Sequence, residues 1–215
     1  MRLRLCNCVA MKRTLFMLMA ALAATTSLPA QDAAHAGDAK VPQLNESGNI
    51  VLAGRSVPYR IHRLPVSSFP DLPEQIADLL NQRGCAIPQT YEAHRPENVV
   101  HASLERAGSS DWAVLCSVRG TVSLLVFFAS APEHPTVLAT APEKLRLQAS
   151  GGDKPLGFNW GIDPASPKDV QDARSSMGRR PAPPDHDALA DSVIDHKTIY
   201  HFYTKDQWTL LDMPD

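Results

Sequence analysis

The chain has no apolar run long enough to cross a bilayer, no Cys-x-x-Cys, and only four cysteines among 215 residues. Its longest apolar stretch, residues 15–24, holds ten residues, about half of the roughly 20 that a membrane-spanning helix needs. No G-x-S-x-G elbow, phosphate loop or dinucleotide fingerprint occurs, so the commonest forms of serine catalysis and nucleotide binding have no support. A basic run is missing too, and with a net charge of −2 the chain offers little to a phosphate backbone, which excludes nucleic acid as an expected partner. No period of about 20 to 50 residues recurs, so a solenoid or propeller is not indicated.

What is present begins with a leader. Lys12 and Arg13 precede the apolar run, and small residues with Pro29 follow it, the pattern of a cleaved export signal with Met11 as its natural start. Cleavage after Ala30 or after Ala36 fits the small-residue rule. The second has the better pair, Ala34 and Ala36, and gives a signal peptide over residues 1–36. Cys6 and Cys8 lie ahead of the apolar run, so neither is placed to carry a lipid. Residues 1–30 contribute Arg2, Arg4, Lys12 and Arg13 and no acid, so without them the 21 basic and 23 acidic residues become 17 and 23, near −6. The remainder, about 180 residues, suits one domain with a sizeable core. A periplasmic or secreted protein without a membrane span is expected.

Only Cys85 and Cys116 survive removal of the leader, and an even pair in an oxidising compartment reads as a bridge. Zinc ligation, the competing use, wants a close Cys-x-x-Cys or a histidine at short spacing, and neither is there. Closing the loop between the two cysteines is worth roughly 3 to 4 kcal/mol in the chain-entropy account.

Along the chain, residues 37–48 are small and polar and read as a flexible start to a domain over residues 49–215. The Asn45-Glu46-Ser47 sequon is given no weight in a chain whose leader looks bacterial. Two apolar runs, 50–53 and 57–63, flank Gly54-Arg55-Ser56 and predict a hairpin. Asp71, Pro73 and Glu74 form a capping signature that opens a helix over residues 71–83, with Leu72, Ile76, Leu79 and Leu80 on its core face and Gly84 as its stop. Residues 111–118 are apolar on both faces, with Trp112, Val114 and Cys116 on one side and Ala113 and Leu115 on the other. Together with residues 98–105 and 122–129 they predict a three-stranded antiparallel meander that turns at Arg119-Gly120. The bridge would join the helix end to the middle strand. Leu145 and Leu147 suggest a further short strand, and residues 151–184 read as a long Pro/Gly-rich loop broken by a short helix at Ser166-Pro167, capped by Asp169. A terminal hairpin over 198–203 and 208–211 turns at Lys205-Asp206-Gln207. The expected fold is α+β: an antiparallel sheet, meander plus terminal hairpin, with a helix on one face and a single disulfide.

Three stretches carry a resemblance: Gly84-Cys85-Ala86-Ile87-Pro88-Gln89-Thr90, Asp111-Trp112-Ala113-Val114-Leu115-Cys116-Ser117, and Asp185-His186-Asp187 with the Trp208 hairpin. From about residue 57 to the C-terminus the chain resembles a family of uncharacterised exported bacterial proteins. The resemblance implies export and transfers no activity or catalytic residue. It departs at Ala188, where that family usually has glycine.

Chemistry concentrates in Asp185-His186-Asp187, Asp191, Asp195-His196 and His201. Three histidines within sixteen positions could converge as zinc or manganese ligands, with an aspartate orienting water, and would make a metal-dependent hydrolase centred on His186, His196 and His201. Against this, no strict ligand spacing is present, and Asp187 reads as the N-cap of a short helix over residues 188–193. His201, sharing a strand face with Ile199 and Tyr203, reads as a packed, hydrogen-bonded histidine. In Gly157-Phe158-Asn159-Trp160-Gly161 the two aromatics are candidates for a stacking or sugar-binding lip, against the plainer reading that they pack a strand onto the core. With both cysteines bridged, no nucleophile is visible and no cofactor is expected. The reading that follows is an exported, non-enzymatic binding domain. The metal hydrolase and an inhibitor of an envelope enzyme are its alternatives.

Overall fold

The structure, a computed structural model, describes residues 44–176 and 184–213, all within one unit, Ala39–Asp215. The expected leader lies outside the described residues. Strand β1 (Asn45–Leu52) turns at Ala53-Gly54 into β2 (Arg55–Pro65), a tighter turn than the expected Gly54-Arg55-Ser56. β1 also starts inside the stretch 37–48 expected to be flexible. Pairing with β2, from Asn45 opposite His62 onward, orders residues that are small and polar by composition.

Helix α1 (Glu74–Gln82) starts later than expected, with Pro73 and not Asp71 at its N-cap and no side-chain cap. Leu72 precedes that proline, and the ring disfavours helical geometry there, so the first turn cannot include it. Leu72, Ile76 and Leu80 are buried as expected, whereas Leu79 is half-buried. At the other end Gly84 adopts φ 70°, and its N–H and that of Cys85 bond the carbonyls of Asn81 and Leu80 at 2.9 and 3.0 Å. This double closure is a Schellman motif. It hands the chain to β3 (Ala86–Gln89) with Cys85 fixed in place.

The expected meander forms as β4 (Val99–Ala102), β5 (Asp111–Val118) and β6 (Thr121–Phe127), extended by β7 (Thr136–Pro142). Leu145 ends a short 3-10 turn and is exposed, so the strand expected there shrinks to β8 (Leu147–Gln148). The long loop expected over 151–184 is largely structured. It contains β9 (Leu156–Phe158), β10 (Trp160–Ala165) and α2 (Pro167–Ser176). The Ser166/Asp169 capping box is made as expected: the Asp169 carboxylate accepts from the Ser166 N–H at 2.8 Å and the Ser166 hydroxyl accepts from the Asp169 N–H at 3.2 Å. Residues 188–193, expected as a helix, are instead β11 (Ala188–Val193), paired along both edges with β10 and β12 (Lys197–Thr204). Their composition suits a helix, but a segment between two strands satisfies its backbone only by joining them. The terminal hairpin closes with β13 (Gln207–Asp212) at a two-residue turn, Lys205-Asp206. Both turn residues have positive φ, 52° and 59°, as two-residue hairpins require.

Nine strands make one sheet, in the order β7-β6-β5-β3-β2-β9-β8 with β1 on β2 and β4 on β5, and β10-β11-β12-β13 make a second. Alternation on β5 distributes the core. Trp112, Val114 and Cys116 pack with Leu72, Ile76 and Leu80 around α1. Ala113 and Leu115 pack on the opposite side with Trp160, Ile162 and Leu189 of the second sheet. The outer face of that second sheet buries Ala188, Phe202 and Leu211 against Val170 and Ala173 of α2. Four layers result: α1, large sheet, small sheet, α2. The fold is α+β and sheet-rich. Cys85 and Cys116 are disulfide-bonded, with Cα atoms 5.3 Å apart, and tie the α1 terminus to the middle meander strand.

Candidate functional site

The acidic and histidine-rich segment is placed by β11 and β12. His186, 7% exposed, points its Nε2 at the Tyr203 carbonyl (2.8 Å) and its Nδ1 at Asp185 Oδ1 (2.7 Å). Both partners are acceptors, so neither ring nitrogen presents a lone pair outward to a metal. The hydrogen bond from His186 holds the exposed Asp185 carboxyl below its ordinary range. Asp187 exchanges two bonds with Ser103, its N–H donating to the Ser103 carbonyl and its carboxylate accepting from the Ser103 N–H, both 3.0 Å, and so stitches the second sheet to the end of β4 instead of capping a helix.

His201 is buried and hydrogen-bonded, as expected. Its Nε2 lies 3.0 Å from Asp191 Oδ2, while Asp191 Oδ1 accepts the Trp160 indole N–H at 2.5 Å. All three side chains are under 9% exposed. Asp191 is the diagonal neighbour of Trp160 on one flank and of His201 on the other, which the pairing register dictates. The Arg146 guanidinium covers the Trp160 ring at 4.2 Å. His196 sits exposed in the turn between β11 and β12. Among the described residues no three His, Cys, Asp or Glu side chains are arranged to hold a metal, so His186, His196 and His201 are not brought together as ligands.

The aromatic lip does not form. Trp160 and Phe158 are 0% and 1% exposed and belong to the core between the sheets. Their neighbour Gly157 is the informative residue. It lies opposite Arg60 of β2 and Gln148 of β8, so Arg60, Gly157 and Gln148 form one row across the large sheet. Over the glycine lies Tyr91, from the segment after β3. A Cβ at Gly157 would fall 2.4 Å from the Tyr91 Cβ, so only glycine lets the tyrosine cross β9 here. Tyr91 is anchored by its N–H to the Phe158 carbonyl at 2.9 Å, and its hydroxyl accepts from Gln148 Nε2 at 3.3 Å. Burial and the neighbouring Asp195 carboxylate push that hydroxyl above its ordinary range.

The segment that carries Tyr91 is itself held by buried polar bonds. Gln89 donates to the Ile87 and Glu97 carbonyls, both at 3.1 Å, and accepts the Glu97 N–H at 2.9 Å. The Glu97 carboxylate accepts the Thr90 N–H at 2.7 Å. Asn98, buried with φ 69°, donates to the Pro88 and Trp160 carbonyls and accepts from the Ile162 N–H at 3.0 Å, clamping the segment to β10.

Between this tyrosine wall, the outer residues of β2 and the loop joining β8 to β9 is an open cleft of about 400 Å³. Arg60 and His62 line it from β2, Lys154 and Pro155 from the loop, and Phe158 from β9. The lining contains three basic side chains and no carboxylate. Sequence reasoning does not single out Arg60, Lys154 or Tyr91. The available signal was alternation: with Tyr59 and Ile61 inward, Arg60 and His62 must share the outer face of β2. Comparison of the chain with models of protein families, with curated proteins and with solved structures returned no match.

Proposed function

We propose that this chain is an exported binding domain that acts without a catalytic step, and that the cleft beside Tyr91 is its ligand site. The observation that carries the reading is the construction of the cleft wall. A tyrosine is laid over a glycine and held by hydrogen bonds to β9 and β8, next to an open volume of about 400 Å³, within the size range of small-molecule sites. Such a wall is pre-organised, so little ordering cost falls on binding.

Export is supported by the leader pattern of residues 1–36 and by the Cys85–Cys116 bridge, which suits an oxidising compartment. No described helix is long and apolar enough to cross a membrane. The hydrolase alternative draws less support, because the ring nitrogens of its central residue, His186, are both committed to acceptors.

A fragment library screened by amide-resolved NMR tests the proposal. Shifts clustering on Arg60, Tyr91 and Gly157 are expected, and turnover of model esters or phosphoesters is not. Hits scattered elsewhere, or measurable turnover lost in His186→Ala, would overturn it.

A further inference from the structure

Resting on the reading of the cleft as a ligand site, we infer that its ligand is a small organic anion with a flat apolar body, its charge held by Arg60 and Lys154 and its body set against Tyr91. The chain as a whole is acidic, with 23 acidic against 21 basic residues, yet the cleft reverses that sign locally: Arg60, Lys154 and His62 line it and no Asp or Glu does. The acids nearest the tyrosine, Asp195 and Glu92, act on the Tyr91 hydroxyl and are not part of the lining.

Neither cation is spent among the described residues. The Arg60 and Lys154 side chains have no hydrogen bond or ion pair among the described residues, whereas the neighbouring Arg63 is committed to Glu46 and Glu143. The Glu97 carboxylate is engaged by the Thr90 backbone N–H. Two cations from different elements, one on a strand and one on a loop, flank an opening whose remaining lining includes Tyr91, Ala93, Pro155 and Leu156. Such a lining gives a carboxylate, sulfonate or phosphate charge-assisted hydrogen bonds, and gives a ring an apolar surface. A cationic ligand meets no opposite charge in the lining, and a neutral one leaves both cations unused.

The matched probes 1-anilinonaphthalene-8-sulfonate and N-phenyl-1-naphthylamine share one aromatic body and differ in the sulfonate. Titrated into the purified chain, the sulfonate should bind one to one and about tenfold or more tighter than the neutral amine. Its affinity should fall about tenfold or more in Arg60→Ala/Lys154→Ala, fall as sodium chloride is raised, and be competed by phenyl phosphate. Circular dichroism and the thermal midpoint of the double variant should match wild type, since neither side chain supports the fold. Tyr91→Ala should weaken both probes. If both probes bind with one affinity that the double variant leaves unchanged but Tyr91→Ala reduces, the anion assignment is overturned and the cleft reading stands. If neither binds, or Tyr91→Ala affects neither, the cleft reading itself falls and this inference with it.

Discussion

At Asp191 a single carboxylate holds two ring N–H groups, from Trp160 and His201, in a region where none of the three reaches water easily. Removing it leaves two buried donors without partners. Each unsatisfied donor costs roughly 1 to 3 kcal/mol, so Asp191→Ala should lose about 3 kcal/mol in urea unfolding. A loss under about 0.5 kcal/mol would show that the pair is not buried as described. The same accounting explains why this segment looked catalytic in the sequence. Asp and His recur there because they tie strands and segments together: His186 ties Asp185 to the Tyr203 carbonyl, and Asp187 ties β11 to Ser103. A list of residue types cannot distinguish a ligand with a free lone pair from one whose nitrogens are both spent.

Among the elements, α1 and β5 were the most legible and β11 the least. Gly84 and the apolar spacing of Ile76 and Leu80 specify a helix and its stop from local chemistry alone. The Schellman closure then delivers Cys85 to Cys116. Because the bridge joins a helix end to a central strand, its loss should be felt globally: Cys85→Ala/Cys116→Ala is expected to lower the unfolding free energy by roughly 3 to 4 kcal/mol. Denaturant titration of the variant checks this, and an unchanged midpoint would remove the bridge's structural role. At β11 and β9 local chemistry misleads. Ala188-Leu189-Ala190 favours a helix, and Gly157 with Pro155 favours a loop, but both stretches lie where a neighbouring strand edge needs a partner. The cleft depends on that non-local pairing, since Arg60, Gly157 and Gln148 become one row only after β2, β9 and β8 align.

For the whole molecule, the four layers concentrate several carboxylates in hydrogen bonds that favour their ionised forms. Glu46 is held low chiefly by the hydrogen bond from Arg63, against an opposing effect of burial, and Asp185 by that from His186. Asp169 is held low by its bonds to Ser166. A carboxyl depressed on folding adds stability above its unfolded value and loses it as the pH falls through its folded one. The thermal midpoint should therefore be level near neutrality and drop as the pH goes below about 4, the ordinary carboxylate value. Melts from pH 7 to pH 2 test this, with Glu46→Gln expected to flatten the drop. A midpoint that rises on acidification would contradict the sign.

By itself the sequence determined what depends on near neighbours: the helix stop at Gly84, the two-faced β5, the Ser166/Asp169 cap, and a pair of cysteines with no other use. Those follow from backbone sterics, side-chain period and short-range hydrogen bonds. The tertiary structure alone decided which strand edges meet, and with them the second sheet, the burial of Phe158 and Trp160, and the row that puts Tyr91 beside Arg60. Such pairings join residues as far apart as Arg60 and Gly157. No local preference encodes a partner at that distance. Only the tertiary pairing of strand edges and apolar faces selects it.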